Sequence, residues 1–177
     1  MNSQPEPHIL FTRDEIETIV KKLAGEISQD YDGKHPLLIG VLKGSFIFMA
    51  DLIRHLNFPL EVEFIKLSSY GRGRSTPGKI KVVQGLRSKV RGRDIIIIED
   101  IVDTGHTIAF LLDYLRKKKP ASLKLCALTD KPSRRQVPVS IDYLGFTVPN
   151  KFIVGYGIDW DEKFRHLPHI GFVEVKD

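Results

Sequence analysis

Apolar residues recur along this chain with two different periods. From Thr12 onward they fall at Ile16, Ile19, Val20, Leu23 and Ile27, the spacing of one helix face. Thr12 and Glu15, three residues apart, make a capping box that starts this helix. Asp32-Gly33-Lys34-His35-Pro36 predicts a turn. Leu37 to Leu42 predicts a strand, and Lys43-Gly44-Ser45 opens a second helix with Met49, Leu52, Ile53 and Leu56 on one face, closed by Pro59. Leu60 to Lys66 alternates and predicts a strand. A polar loop from Ser68 to Gly78 follows, and Lys79 to Gln84 predicts a hairpin partner. Arg93 to Ile98 ends in four consecutive isoleucines, a run expected where a strand is buried on both faces. Ile108, Leu111, Leu112 and Leu115 mark a third helix. Leu123 to Leu128, Ile141 to Phe146 and Phe152 to Gly155 predict three further strands.

Strands alternating with helices imply βαβ units, so the fold class is α/β with a mainly parallel twisted sheet flanked by helices. No internal repeat, low-complexity tract or linker interrupts the pattern, and 177 residues suit a single domain, 1–177. The single cysteine, Cys126, excludes an intrachain disulfide and makes a reducing, cytoplasmic setting the expectation. Met1 to His8 is polar and proline-containing, unlike a signal peptide. No stretch approaches the ~20 apolar residues that span a bilayer, so no membrane partner is expected. The net charge of +5 fits either nucleic acid or a polyanionic small substrate. Its densest run, Arg116 to Lys119 before Pro120, sits at a helix C-terminus, where the dipole favours cations.

The chemistry concentrates between Ile95 and Thr107. The buried strand, read as ending at Ile98, is followed at once by an acidic loop that begins with Glu99 and Asp100. Asp103, Thr104, Gly105, His106 and Thr107 then lead into a helix. Open α/β sheets bind ligands at such a strand end, and the helix amides and dipole attract phosphate. Carboxylates would repel a phosphate, so the ligand must offer something else to them. Ribose hydroxyls donate hydrogen bonds to carboxylates, and Mg²⁺ takes their hard oxygens. A sugar phosphate bearing a metal-bound pyrophosphate satisfies both halves. Competing fingerprints fail: Gly-x-Gly-x-x-Gly is absent, and the near P-loop Gly73 to Lys79 has Ile80 where Ser or Thr should bind metal.

This stretch resembles the phosphoribosyl pyrophosphate (PRPP) motif of type I phosphoribosyltransferases, in the version of the hypoxanthine–guanine family. The resemblance extends from about Phe11 to the end of the chain. It implies the type I fold, with a small hood built from the N- and C-terminal segments. It implies that Asp103 is the general base. The amides and hydroxyls of Asp103, Thr104, Gly105, His106 and Thr107 would hold the 5′-phosphate, with the His106 side chain turned away. Glu99 and Asp100 would orient ribose and metal. Leu42-Lys43-Gly44 is similar to the family's pyrophosphate turn, where the Leu–Lys peptide can be cis. Ser69 and Tyr70 match the lid that excludes water from an oxocarbenium-like transition state. Lys131 matches the lysine that donates to the purine O6. Phe152 matches the aromatic that stacks on the base, Ile153 the backbone that reads its edge, Asp159 a second Mg²⁺ ligand, and Arg165 a pyrophosphate contact.

The resemblance therefore implies Mg²⁺-dependent transfer of 5-phosphoribosyl from PRPP to a 6-oxopurine, giving a nucleoside monophosphate and pyrophosphate. It further implies a homodimer or homotetramer that needs no nucleic acid. Two alternatives stay open: a regulatory nucleotide- or RNA-binding protein on the same fold, and a transferase preferring xanthine. A pure regulator would not need Asp103, Lys131, Asp159 and Arg165 together, and all four are present.

Overall fold

The computed structural model describes residues 5–70 and 79–174. The elements are β1 (His8–Phe11), α1 (Arg13–Asp30), β2 (Leu37–Leu42), α2 (Phe46–Ile53), β3 (Glu61–Tyr70), β4 (Lys79–Gln84) and β5 (Asp94–Val102). These are followed by α3 (His106–Arg116), β6 (Ser122–Asp130), a 3-10 turn (Pro132–Arg134), β7 (Tyr143–Thr147), β8 (Phe152–Val154) and β9 (Ile170–Val173).

Six strands form the main sheet in the order β4-β3-β2-β5-β6-β7. All neighbours in it are parallel except the β3–β4 hairpin. The isoleucine run lies at its centre, with Ile98 opposite Gly40 on one side and Cys126 on the other. Strand side chains alternate between faces. Accordingly Ile96 and Ile98 pack under α1 and α2, while Ile95 and Ile97 pack under α3. All four are fully buried, as a strand covered on both faces requires. Helix α1 starts at the expected capping box, with the Thr12 hydroxyl accepting from the Glu15 amide and the Glu15 carboxylate accepting from Thr12 N–H.

Three short strands, β1-β9-β8, make a separate antiparallel sheet, the hood. It joins segments from the two ends of the chain above one edge of the core.

Several boundaries differ from expectation. β5 does not stop at Ile98; its ladder with β6 continues through Glu99–Ala127, Ile101–Thr129 and Val102–Asp130. Glu99 and Asp100 are thus strand residues, not loop residues. Likewise β3 extends to Tyr70 because Ser68, Ser69 and Tyr70 pair with Lys81, Ile80 and Lys79. The lid assignment to Ser69 and Tyr70 concerns side chains outside the described residues, as is the stretch 71–78. Leu56 lies past the end of α2, although it still packs on the core.

Candidate active site

The carboxyl end of β5 and the start of α3 enclose a small hollow of about 110 Å³, lined by Glu99, Ile101, Asp103, Thr104, Gly105 and Thr107. Gly105 caps the helix with φ of +90°, the left-handed region that favours glycine. A Cβ there would also lie 2.4 Å from the Val137 carbonyl. The first-turn amides of α3 have no carbonyl within the helix to bond, so they are available to an anion. The 131–137 segment braces this loop. Gln136 and Val137 amides donate to the Thr104 carbonyl at 2.9 and 3.0 Å, and Arg135 Nε donates to the Asp103 carbonyl at 3.1 Å. The His106 ring lies 3.0 Å from Gln136 Oε1 and does not line the hollow.

Below the loop sit the two strand carboxylates, both buried. Burial, followed by the charge of neighbouring Asp100, pushes the Glu99 carboxyl well above the usual carboxylate range. Glu99 Oε2 has no hydrogen-bond partner. A buried carboxylate oxygen without a donor is costly, and a ribose hydroxyl or a cation would satisfy it. Backbone packs directly on Asp100: a Cβ on Gly44 would fall 1.8 Å from its Oδ2. The preceding peptide, Leu42–Lys43, is cis. A side chain on Gly157, φ +99°, would in turn strike the Gly44 carbonyl at 2.2 Å. The Leu42-Lys43-Gly44 turn is therefore wedged between Asp100 and the Gly157 segment.

A larger cavity of about 1050 Å³ opens between the sheet edge and the hood, lined by Asp100, Asp103, Lys131, Arg134, Phe152, Ile153 and Asp159 among others. Lys131 is buried, and its Nζ donates to the Lys151 carbonyl at 2.8 Å. Burial lowers its pKa from the ordinary lysine value, partly offset by Asp103. Phe152 keeps 47% of its surface exposed, the one strongly exposed phenylalanine of the hood strands. Ile153 is buried and pairs with Phe172.

Asp159 does not join Glu99 and Asp100. Its carboxylate ion-pairs with Arg165 at 2.7 Å and accepts from the Glu162 amide at 2.8 Å. Among the described residues, no three His, Cys, Asp or Glu side chains converge into a metal-binding group. Any cation at Glu99–Asp100 or at Asp159 would need ligand oxygens to complete its shell.

Two site residues escaped the sequence reading. Arg134 places Nε 3.3 Å from Asp103 Oδ1. Glu162 holds Lys43 Nζ at 2.8 Å with both carboxylate oxygens. Arg134 carried only the signal of an arginine three residues beyond Lys131. Glu162 lies midway between Asp159 and Arg165, a spacing that could have drawn attention to it.

A doubly covered parallel sheet whose acidic central strand leads into a helix N-terminus is an arrangement suited to a ligand that carries both hydroxyls and phosphate. The phosphoribosyl transferase domain model matches residues 10–161, and the chain belongs to that family. It is 45% identical to hypoxanthine-guanine phosphoribosyltransferases of Streptococcus thermophilus and Bacillus subtilis, over 94% of this chain and 92% of theirs. It is also 43% identical to the bifunctional protein TilS/HprT of Listeria innocua, of whose length it spans only 26%. Among solved structures, a hypoxanthine-guanine phosphoribosyltransferase of Bacillus anthracis superposes with a TM-score of 0.91 at 43% identity, covering 97% of this chain and all of that one. The hypoxanthine phosphoribosyltransferase of Trypanosoma cruzi gives 0.91 at 40% identity, covering 98% and 94%.

Proposed function

We propose that this chain is a purine-salvage enzyme that transfers 5-phosphoribosyl from PRPP to N9 of hypoxanthine or guanine. The products are IMP or GMP and pyrophosphate. The observation that carries this reading is the position of Asp103, which lines both the phosphate hollow and the large cavity. A carboxylate on that shared wall can reach a base on one side while its own loop holds the sugar phosphate on the other.

The C1′–pyrophosphate bond breaks, the C1′–N9 bond forms, and Asp103 takes the proton that leaves purine N7. A positioned base of this kind contributes ~10²- to 10⁴-fold. The buried Lys131 ammonium donates to O6, which favours a 6-oxo over a 6-amino purine. Phe152 offers its exposed ring for stacking. The α3 amides with Thr104 and Thr107 hold the 5′-phosphate, and Lys43 and Arg165 neutralise the leaving pyrophosphate. Glu99 and Asp100 orient the ribose hydroxyls beside the developing cationic sugar. The unpartnered Glu99 oxygen and the Asp159 carboxylate suit Mg²⁺, which when bound supplies positive charge to the diphosphate.

The test is pyrophosphate release from PRPP with Mg²⁺ and hypoxanthine, guanine, xanthine or adenine, beside Asp103→Asn. Hypoxanthine or guanine should turn over, adenine should not, and the variant should lose roughly 10²-fold or more in kcat. Turnover by xanthine alone would move the specificity. Absence of turnover with any base would sink the reading.

A further inference from the structure

Asp161 and Glu162 form the centre of a tight turn, closed by Trp160 and Lys163 exchanging backbone hydrogen bonds at 3.1 and 3.0 Å. Both central residues are left-handed, with φ of +51° and +60°. That is the geometry of a type I′ turn, which favours Asn-Gly because side chains with larger branches resist positive φ. A glutamate placed there against its conformational preference points to a use for the side chain.

The carboxylate meets two cations. It receives Lys43 Nζ on both oxygens at 2.8 Å and Arg165 Nη2 at 3.3 Å. The Lys43 bonds bridge 119 positions of sequence, from the turn after β2 to the segment before β9. The Glu162 amide is fixed by Asp159, and Asp159 also pairs with Arg165. Lys43 and Arg165 are the two cations that the proposed reaction assigns to pyrophosphate, and Glu162 bonds both of them. A carboxylate presents two anionic oxygens in a plane, as one edge of a phosphate does. The Glu162 side chain is 64% exposed, so it can swing into solvent without disturbing the core.

We propose that Glu162 is an internal counter-ion that stands in for the diphosphate. It holds Lys43 and Arg165 together in the ligand-free chain and is displaced when PRPP or pyrophosphate enters. This rests on the assignment of Lys43 and Arg165 to pyrophosphate made above. Glu162 is thus a positioning residue that competes with the diphosphate. It shields two adjacent cations from mutual repulsion before binding, and it weakens diphosphate affinity by the strength of the contacts it must give up.

The test is calorimetric titration of the full chain with inorganic pyrophosphate, then with PRPP, in buffer containing Mg²⁺. Wild type, Glu162→Gln and Asp161→Asn are compared. Asp161 is the adjacent exposed acid, its nearest cation being Lys163 at 3.8 Å. Asn tolerates its left-handed backbone. Glu162→Gln should tighten pyrophosphate about three- to five-fold, the scale of one exposed ion pair released from competition. Asp161→Asn should leave it unchanged. The KM for PRPP should fall in Glu162→Gln without loss of kcat, a split that a merely structural role would not produce. Thermal melting checks that both variants are folded.

Equal gains in both variants would reduce the effect to a general field and overturn the stand-in role. Unchanged or weaker binding in Glu162→Gln would overturn it too, while hypoxanthine turnover by wild type kept the proposed reaction intact. Failure of wild type to bind pyrophosphate would remove the assignment of Lys43 and Arg165, and this inference with it.

Discussion

Lys131 shows at the scale of one residue what burial does to function. Its ammonium is enclosed, bonded to a single carbonyl, and held below the ordinary lysine pKa of 10.5 by burial. A lysine whose folded pKa is lowered costs stability while it is charged in both states. That cost is relieved as pH rises from the lowered value toward 10.5. In the proposed reaction base recognition runs the other way, because only the protonated amine donates fully to O6. Through the same window, stability should rise while kcat/KM for hypoxanthine falls. Lys131→Met should abolish both trends and lose most hypoxanthine affinity. Parallel pH profiles of denaturant midpoint and kcat/KM check this, and matching slopes in the variant would refute it. The Asp103–Thr107 run stood out in sequence because its motif is local, whereas Lys131 was singled out only through the family resemblance. Arg134 near Asp103, and Glu162 across from Lys43, were not legible, because those contacts exist only once distant segments meet.

At the scale of elements, β5 and α3 were legible by period, but the point where strand becomes loop was not. A strand ends where its ladder ends, and the partners Ala127 and Thr129 that keep β5 going belong to β6. That extension puts Glu99 and Asp100 on fixed strand backbone, a more rigid support for carboxylates than a loop. It also concentrates the loop's bending into Asp103 to Gly105. Gly105→Ala tests this junction. The left-handed conformation alone costs roughly 1–2 kcal/mol with a side chain. The 2.4 Å approach of Val137 O adds to it, since that carbonyl is held by the brace around Thr104. The expected result is a loss of at least ~1–2 kcal/mol in denaturant unfolding together with a raised KM for PRPP. A variant with unchanged stability and unchanged KM would mean that the loop does not depend on this glycine.

For the proposed reaction, the whole molecule sets the sugar phosphate on the main sheet and adds the hood to the base side. The phosphate hollow belongs to the main sheet, through β5 and α3, whereas Phe152 and Ile153 come from β8 of the hood. The hood was the least legible part of the sequence. β1 and β9 have four residues each, too few for a period to show, and they pair across nearly the full length of the chain. One aromatic contact ties the two sheets: Phe11 at the end of β1 stacks on Phe146 of β7, with ring centroids 3.9 Å apart. Phe11 is only half-buried, so Phe11→Ala should cost less than the roughly 3–5 kcal/mol of a fully buried phenylalanine. Its functional effect should fall unevenly. Loosening the hood moves the stacking ring and leaves Asp103 to Thr107 in place. KM for hypoxanthine should therefore rise several-fold while pyrophosphate and PRPP affinities stay near wild type. A variant in which PRPP binding weakens as much as base binding would show that the hood and the phosphate loop move as one body, contrary to the division of labour drawn from the two sheets.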